Sequence, residues 1–267
     1  MGCSSNSLRQ DRRVKEEYAI LKGLNFYSQG EFLEAKKNYE DVLKFNQNNI
    51  LVLREIALLE YDLGDKEKSI YYYRKVLKLD NRDQIALRNL GVILYLDGRF
   101  AEGEKYLRSL NIKNHDMQTL KILGKIYCDK NEMELSQKYL EEASKYLLNC
   151  DLEYFQLYSK VMIIKKEKEA LYYFLKKSYN KYLTNKEFNL FYAKILGETF
   201  EEWTESQNIL KKYLIKNGGD GDIYLYLAYT YYKLNNYAQG QLLLKLVPTD
   251  YKYNPLYMEL NRKFAEG

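Results

Sequence analysis

The chain has 267 residues, in which 42 lysines and arginines face 37 aspartates and glutamates, for a formal net charge of +5. Charges of both signs in nearly equal number are typical of a mixed, solvated surface, whereas nucleic-acid binding needs cations clustered on one face; nucleic acid is therefore not expected as a partner. No apolar run approaches the roughly 20 residues of a membrane-spanning helix, and three cysteines do not make a disulfide framework.

The first seven residues, MGCSSNS, are polar and lack the apolar segment of a signal peptide. N-myristoylation requires serine or threonine at position 6, where this chain has Asn6. The letters GCSS resemble the start of a mature bacterial lipoprotein, in which Met1 would be an added start codon. This resemblance implies a lipid on Cys3 and a periplasmic protein anchored to the outer membrane; the alternative is a cytoplasmic protein. Residues 1–15 are predicted to form a flexible tail.

Four sets of residues recur along the chain with a spacing of 33 or 34 positions. These sets are Gly23, Ala57, Gly91 and Gly124; Gly30, Gly64 and Gly98; Ala35, Ser69 and Gly103; and Tyr39, Tyr73, Leu107 and Leu140. Such a period predicts units of two helices joined by a short turn. The two helices approach closely where both carry small side chains, and a glycine ends the first helix because it tolerates positive φ. The large residue then packs against the next unit.

These positions resemble those of the tetratricopeptide repeat family. The family's first small position is occupied by Gly23, Ala57, Gly91, Gly124, Ala193 and Ala228, its second by Ala35, Ser69, Gly103, Ser136, Ala170, Ser206 and Gly240, and its aromatic position by Tyr39, Tyr73 and Phe174. The resemblance implies an all-α, right-handed superhelical solenoid. Seven units are predicted at 16–49, 50–83, 84–116, 117–150, 151–185, 186–220 and 221–252, followed by a capping helix at 253–267.

Two units depart from the family pattern. The fifth has Tyr158 at the first small position and the charged letters KKEKE at its turn. The sixth has one extra residue between Ala193 and Ser206. The register of these two units therefore departs most from the family pattern, and a kink or a changed superhelical pitch is expected there.

The sequence offers no constellation of catalytic residues. The single histidine, His115, lies in a polar stretch without a histidine or cysteine at metal-ligand spacing. The letters NGGDGD at 217–222 lack the spaced acidic ligands of a calcium loop, and they indicate a turn between units. We therefore predict that the protein is not an enzyme and needs no cofactor or metal.

In the tetratricopeptide family, the first helices of the units line a concave groove that binds peptides or helices of other proteins. Carried over to this sequence, the lining residues of the second to fourth units are Arg54, Tyr61, Arg88, Asn89, Tyr95, Lys121 and Lys125. Those of the fifth and seventh units are Phe155, Met162, Leu225, Tyr229 and Tyr232. The clamp for a terminal carboxylate, known from one subclass, is broken because Leu58 and Ile122 stand where it needs polar residues.

The first set is a basic stripe with interspersed tyrosines, and the second is apolar and aromatic. A partner with an acidic segment beside an aromatic or aliphatic anchor would suit this groove; alternatively, the charges form only a solvated face. The sequence thus predicts a protein-binding scaffold, preferably an envelope lipoprotein that aids an assembly or secretion machinery. The alternative is a cytosolic adaptor or co-chaperone.

Overall fold

The computed structural model describes the backbone of residues 3–110 and 116–266, with side chains over 13–110, 116–146 and 150–265. Within these residues the chain forms α-helices and short 3₁₀ segments and no strand, so the predicted all-α class is confirmed. The helices are α1 Cys3–Ser28, α2 Phe32–Phe45, α3 Ile50–Asp62, α4 Lys66–Leu79, α5 Gln84–Leu96, α6 Phe100–Arg108, α7 Met117–Asp129, α8 Met133–Ala143, α9 Leu152–Ile164, α10 Lys168–Tyr179, α11 Lys186–Phe200, α12 Trp203–Asn217, α13 Gly221–Lys233, α14 Tyr237–Leu244 and α15 Pro255–Glu266.

The chain divides into two compact units, each of which contains several of the two-helix repeats. The first unit is Met1–Asn131 with α1 to α7, and the second unit is Glu132–Gly267 with α8 to α15. Across the described residues, no helix combines the length and the apolar character that crossing a membrane requires. The single histidine, His115, lies outside the described residues.

The helices of a pair are joined by a tight turn that contains one residue with positive φ. Gly30, Gly64 and Gly98 adopt φ values of 78°, 87° and 81°, as the repeat spacing predicted. Four later turns place other residues in the same conformation, which non-glycine residues rarely adopt. These residues are Asn131, Lys166, Glu201 and Asn235, with φ between 58° and 62°.

Aspartate or asparagine precedes the first helix of each pair from α3 onward. Each side chain accepts a hydrogen bond from a backbone N–H in the first turn of its helix, which satisfies a donor that the helix itself leaves free. The capping residues are Asn49, Asp83, Asp116, Asp151, Asn185 and Asp220.

In the first unit, the helix crossings carry the small residues that the period predicted. A Cβ added to Gly103 would lie 2.7 Å from the carbonyl oxygen of Gly91, so α5 and α6 cross at backbone contact. The rings of Tyr39 and Tyr73 are almost completely buried between consecutive pairs. Each pair therefore completes its core against the next one.

In the second unit, aromatic rings fill the space that small residues leave open elsewhere. Tyr158, at the first small position of its pair, is buried with its ring centroid 4.8 Å from that of Phe174. The sixth pair returns to the family pattern, since the Ser206 hydroxyl donates to the Ala193 carbonyl at 2.7 Å. The last helix, α15, buries Leu260 and Phe264 against α13 and α14.

The amino terminus differs from the prediction. We expected a flexible tail over residues 1–15, whereas the backbone is helical from Cys3 onward. The physical reason is that residues 3–22 contain neither proline nor glycine, so nothing in this stretch interrupts α1. The side chain of Cys3 lies outside the described part of the chain.

Candidate partner-binding pockets

The first unit has an open pocket on the face formed by α3, α5 and the start of α7. Its volume is about 290 Å³. Its floor is mostly aliphatic, and its rim carries one cation and one carboxylate. The lining residues, here called the amino-terminal pocket, are Leu58, Tyr61, Tyr73, Arg88, Asn89, Val92, Ile93, Leu96, Asp116 and Gln118. It contains three of the predicted groove residues, namely Tyr61, Arg88 and Asn89.

The two arginines of the predicted basic stripe are already engaged in ion pairs. Nη1 of Arg54 lies 3.0 Å from Oδ2 of Asp83, a nearly buried carboxylate that also caps α5. Nη1 of Arg88 lies 3.4 Å from Oδ2 of Asp116, and both side chains of this second pair are more than a third exposed. An exposed ion pair exchanges its partner readily because water stabilises the separated charges nearly as well. Arg88 is therefore available to another carboxylate, while Arg54 holds two repeats together.

Asn89 links the pocket to the core below it. Its side-chain amide donates to the Tyr73 hydroxyl at 2.8 Å. Burial raises the pKa of Tyr73 to about 12, so this hydroxyl stays protonated and polar at the pocket wall. The hydrogen bond fixes the position of Asn89 and gives the apolar floor one oriented polar group.

The other residues of the predicted stripe lie on the same helix faces but outside this pocket. The ring of Tyr95 packs 5.3 Å from that of Phe100. Lys125 donates to Asp129 at 2.9 Å, and this carboxylate raises the lysine pKa. Lys121 is half-buried on the same helix as Lys125. The structure therefore does not bring the seven predicted residues of this unit together in one pocket.

Glu55, which the sequence analysis did not select, is a partly buried carboxylate on α3. Burial raises its pKa, and Arg54 lowers it to a smaller extent. Burial is the main cause of the raised pKa of Tyr27, Tyr39 and Tyr73, and the negative charge of Glu55 adds to the rise in all three. Glu55 occupies the position that Asn89 occupies one repeat later, and that equivalence could have identified it from the sequence.

Two predicted groove residues of the second unit are core residues instead. Phe155 and Met162 are only 1% and 2% exposed, so neither can contact a partner. Phe155 is covered because its ring packs 5.1 Å from Tyr182 and 4.7 Å from Phe188. In this helix pair, aromatic rings cover the repeat position that Arg88 occupies, partly exposed, in the first unit.

The second unit has its own pocket, with a volume of about 540 Å³, on the face formed by α9, α11, α13 and the start of α15. Its floor is apolar, and polar side chains stand around the floor. The lining residues, here called the carboxy-terminal pocket, are Leu152, Gln156, Glu187, Leu190, Phe191, Lys194, Asp222, Leu225, Tyr226, Asn254, Pro255 and Leu256. Leu225 is the one predicted groove residue among them.

The two remaining predicted residues, Tyr229 and Tyr232, are half-buried on α13 outside this pocket. The ring of Tyr229 lies edge-on to Trp203 at 5.4 Å, and that of Tyr232 lies 6.0 Å from Phe264. They contribute to packing within the second unit.

The sequence analysis missed Leu190, Phe191 and Lys194 because it left the sixth two-helix repeat out of the groove prediction. The repeat register would have indicated them, since Leu190 occupies in the sixth repeat the position that Arg54, Arg88 and Leu225 occupy in the second, third and seventh repeats. The extra residue of the sixth repeat follows Ala193 and lengthens α11 at its carboxyl end. The register at the start of α11 is therefore unchanged.

Consecutive helix pairs with small residues at their crossings define a helical repeat protein. Residues 20–83 and 54–113 match the tetratricopeptide repeat model. Over these residues, the match confirms the resemblance to the tetratricopeptide repeat family that was predicted from the sequence.

Among curated proteins, the chain is similar to the photosystem I assembly protein Ycf3 of Synechococcus sp. (strain CC9311). The two are 34% identical over 96 residues, which cover 34% of this chain and 56% of that protein. The chain thus spans about half the length of the curated relatives it matches.

Among solved structures, a tetratricopeptide repeat protein from Parabacteroides merdae ATCC 43184 superposes with a TM-score of 0.59 at 11% identity, covering 94% of this chain and 99% of that one. The Pseudomonas aeruginosa protein pilF superposes with a TM-score of 0.50 at 14% identity, covering 95% and 99%. At such identities these likenesses show the fold alone.

Proposed function

We propose that this protein is a non-enzymatic scaffold that binds a peptide or helix of a partner protein on the first-helix faces and thereby aids the assembly of a protein complex. The observation that carries the proposal is the amino-terminal pocket, an open, mostly aliphatic cavity with a few oriented polar groups. Pockets of this composition, apolar with a small number of fixed polar groups, are typical binding sites. The similarity to proteins named for photosystem I assembly supports an assembly role.

The chemistry of the pocket indicates how such a segment would be held. An aliphatic or aromatic anchor would lie on Leu58, Val92 and Leu96, where it removes apolar surface from water. An acidic residue beside the anchor would replace Asp116 at Arg88, since a carboxylate of the partner can make the same charge-assisted contact. The preference for acidic segments therefore depends on Arg88 and does not involve Arg54.

Site-specific photocrosslinking in cells of the native organism tests this function. A photoreactive residue at Gln118, an exposed position on the pocket rim, should yield a covalent adduct with the partner. An excess of the same protein without the photoreactive residue should prevent this adduct from forming. The Arg88→Gln variant should lower the adduct yield by about two- to fivefold, the range of an exposed ion pair. A photoreactive residue at Lys105, exposed on α6, is the control. Equal adducts from Gln118 and Lys105 would contradict the proposal.

We further propose that the scaffold is attached to a membrane through a lipid on Cys3, which would place it in the periplasm at the outer membrane. The letters GCSS at residues 2–5 support this placement. Intact-mass analysis and membrane fractionation of the protein expressed from its native gene, beside the Cys3→Ala variant, test it. An unmodified mass with no membrane association would favour the cytosolic adaptor instead.

A further inference from the structure

We propose that the carboxy-terminal pocket binds an amphipathic helix of a partner protein that carries one basic and one acidic residue seven positions apart, with two apolar residues between them. The inference rests on the proposed function and specifies the ligand of its second site. It follows from four residues on one face of α11, namely Glu187, Leu190, Phe191 and Lys194.

The spacing of these residues favours a helix as the ligand. They stand at positions i, i+3, i+4 and i+7, so they form one stripe along α11. With a rise of about 1.5 Å per residue, the two charged ends of the stripe are about 10 Å apart. A helix lying along α11 repeats its own side chains at the same interval, and helix-in-groove recognition uses this set of positions.

The centre of the stripe is apolar and open. Leu190 and Phe191 are half-buried, and Leu225 and Tyr226 lie beneath them as buried neighbours on α13. The Tyr226 hydroxyl donates to Glu198 at 3.1 Å, which fixes the ring. A floor held in this way is ready to receive two apolar side chains without rearranging.

The ends of the stripe carry opposite charges that are exposed. Within the described residues, Glu187 makes no ion pair, in contrast to the neighbouring Asp222, which pairs with Lys186 and accepts from the Tyr251 hydroxyl. Lys194 makes no ion pair there either, and its ammonium group lies 5.5 Å from the centre of the Tyr226 ring. A ligand with a cation at the Glu187 end and a carboxylate at the Lys194 end would complement both charges.

Three fluorescently labelled helical peptides serve as probes. Each peptide is built from alanine and glutamine and carries two leucines on one face. Two charged residues, seven positions apart, flank the leucines. They are lysine and glutamate in the mixed peptide, two lysines in the second peptide and two glutamates in the third. A helix can bind in either direction, so exchanging the ends of the mixed peptide is not informative, whereas the equal-charge peptides mismatch one end in both directions. Fluorescence anisotropy should show that the mixed peptide binds tightest, by about two- to fivefold for each matched charge.

Charge-reversed variants should switch this preference. Glu187→Lys should favour the two-glutamate peptide, and Lys194→Glu should favour the two-lysine peptide. Glu169→Lys and Lys212→Glu are matched controls, because both residues are exposed on the second helices α10 and α12; they should leave the order of affinities unchanged. Phe191→Ala should weaken all three peptides at least tenfold, while Ile215→Ala, at a residue 86% exposed on α12, should not.

Four outcomes would overturn the inference. One is equal binding of the three peptides, another is a preference that the Glu187 and Lys194 variants do not change, and a third is no binding. The fourth is dimerisation of the protein that depends on Phe191, measured by light scattering, which would assign the pocket to a second copy of the chain instead. None of these results affects the adduct expected at Gln118, so a failure here is distinguishable from a failure of the proposed function.

Discussion

At the scale of single residues, the repeats show how one substitution changes the polarity of a surface. In the second and third repeats the Tyr73 hydroxyl receives a hydrogen bond from Asn89. One repeat earlier Glu55 replaces the asparagine, and the buried Tyr39 hydroxyl has no hydrogen-bond partner among the described residues. Glu55 makes no ion pair within the described part of the chain, and a carboxylate that is partly removed from water in this way is held at a cost in free energy. The raised pKa of Glu55 expresses that cost.

The Glu55→Gln variant should therefore be more stable than the wild type at neutral pH. Because the folded pKa of Glu55 is raised, folding favours its protonated form; the charged form destabilises the fold above the folded pKa, and this penalty disappears below the unfolded pKa of about 4.3. Thermal unfolding at pH 7 and at about pH 4 should show a gain in Tm at the higher pH that shrinks at the lower one. Glu40→Gln, at an exposed position on α2, is the control and should show no such change. A loss of stability at pH 7 in Glu55→Gln would contradict this account.

At the scale of elements, the turn within each pair decides how the second helix begins. The early turns use glycine at positive φ, while the turn after α9 uses Lys166 at 62°. A residue with a Cβ pays roughly 1–2 kcal/mol to adopt this conformation. The charged letters KKEKE thus contain a turn of the same conformation as the early turns, in which Lys166 stands where glycine would be favoured.

Replacing Lys166 by glycine should accordingly stabilise the second unit by about 1 kcal/mol, less the entropy that glycine adds to the unfolded chain. The reverse change, Gly64→Ala, should destabilise the first unit by a similar amount, since nothing crowds its Cβ and only the backbone conformation opposes it. Lys160→Gly, in the interior of α9, is the matched control and should lower stability by about 1 kcal/mol. Urea unfolding curves of the three variants measure these effects; a destabilised Lys166→Gly protein would show that its side chain makes a contact worth more than the strain.

The elements also show which features the sequence could predict. The helix crossings, the three turn glycines and the buried positions of Tyr39 and Tyr73 all follow from residue size and spacing, which the repeat displays directly. The groove residues do not follow in the same way. The ion pair of Arg54 depends on Asp83, 29 positions later, which caps the first helix of the next repeat, and the burial of Phe155 depends on rings from Tyr182 and Phe188. Such contacts join distant parts of the chain, and a period within the sequence carries no information about them.

At the scale of the whole molecule, stability is shared between neighbours, because each helix pair leaves an apolar face that the next element must cover. At the carboxyl end α15 has this role. Leu260 is completely buried, and Phe264 packs on Gly240, where an added Cβ would lie 2.5 Å from the ring. The cap thus covers Leu225 and Leu244 on α13 and α14, which would otherwise face water.

Removing residues 253–267 should therefore destabilise α13 and α14 first. The exposed apolar surface weakens the last pair by several kcal/mol, at about 25 cal/mol for each Å² uncovered, and the effect should decline with each pair toward the amino terminus. Hydrogen exchange measured by mass spectrometry should show faster exchange in α13 and α14, smaller changes in α11 and α12, and none in α3 to α6. A chain ending at Phe264 keeps the buried cap residues and is the control, which should exchange like the full chain. A uniform loss of protection in all helices would mean that the protein unfolds as one cooperative block, and would contradict nearest-neighbour coupling.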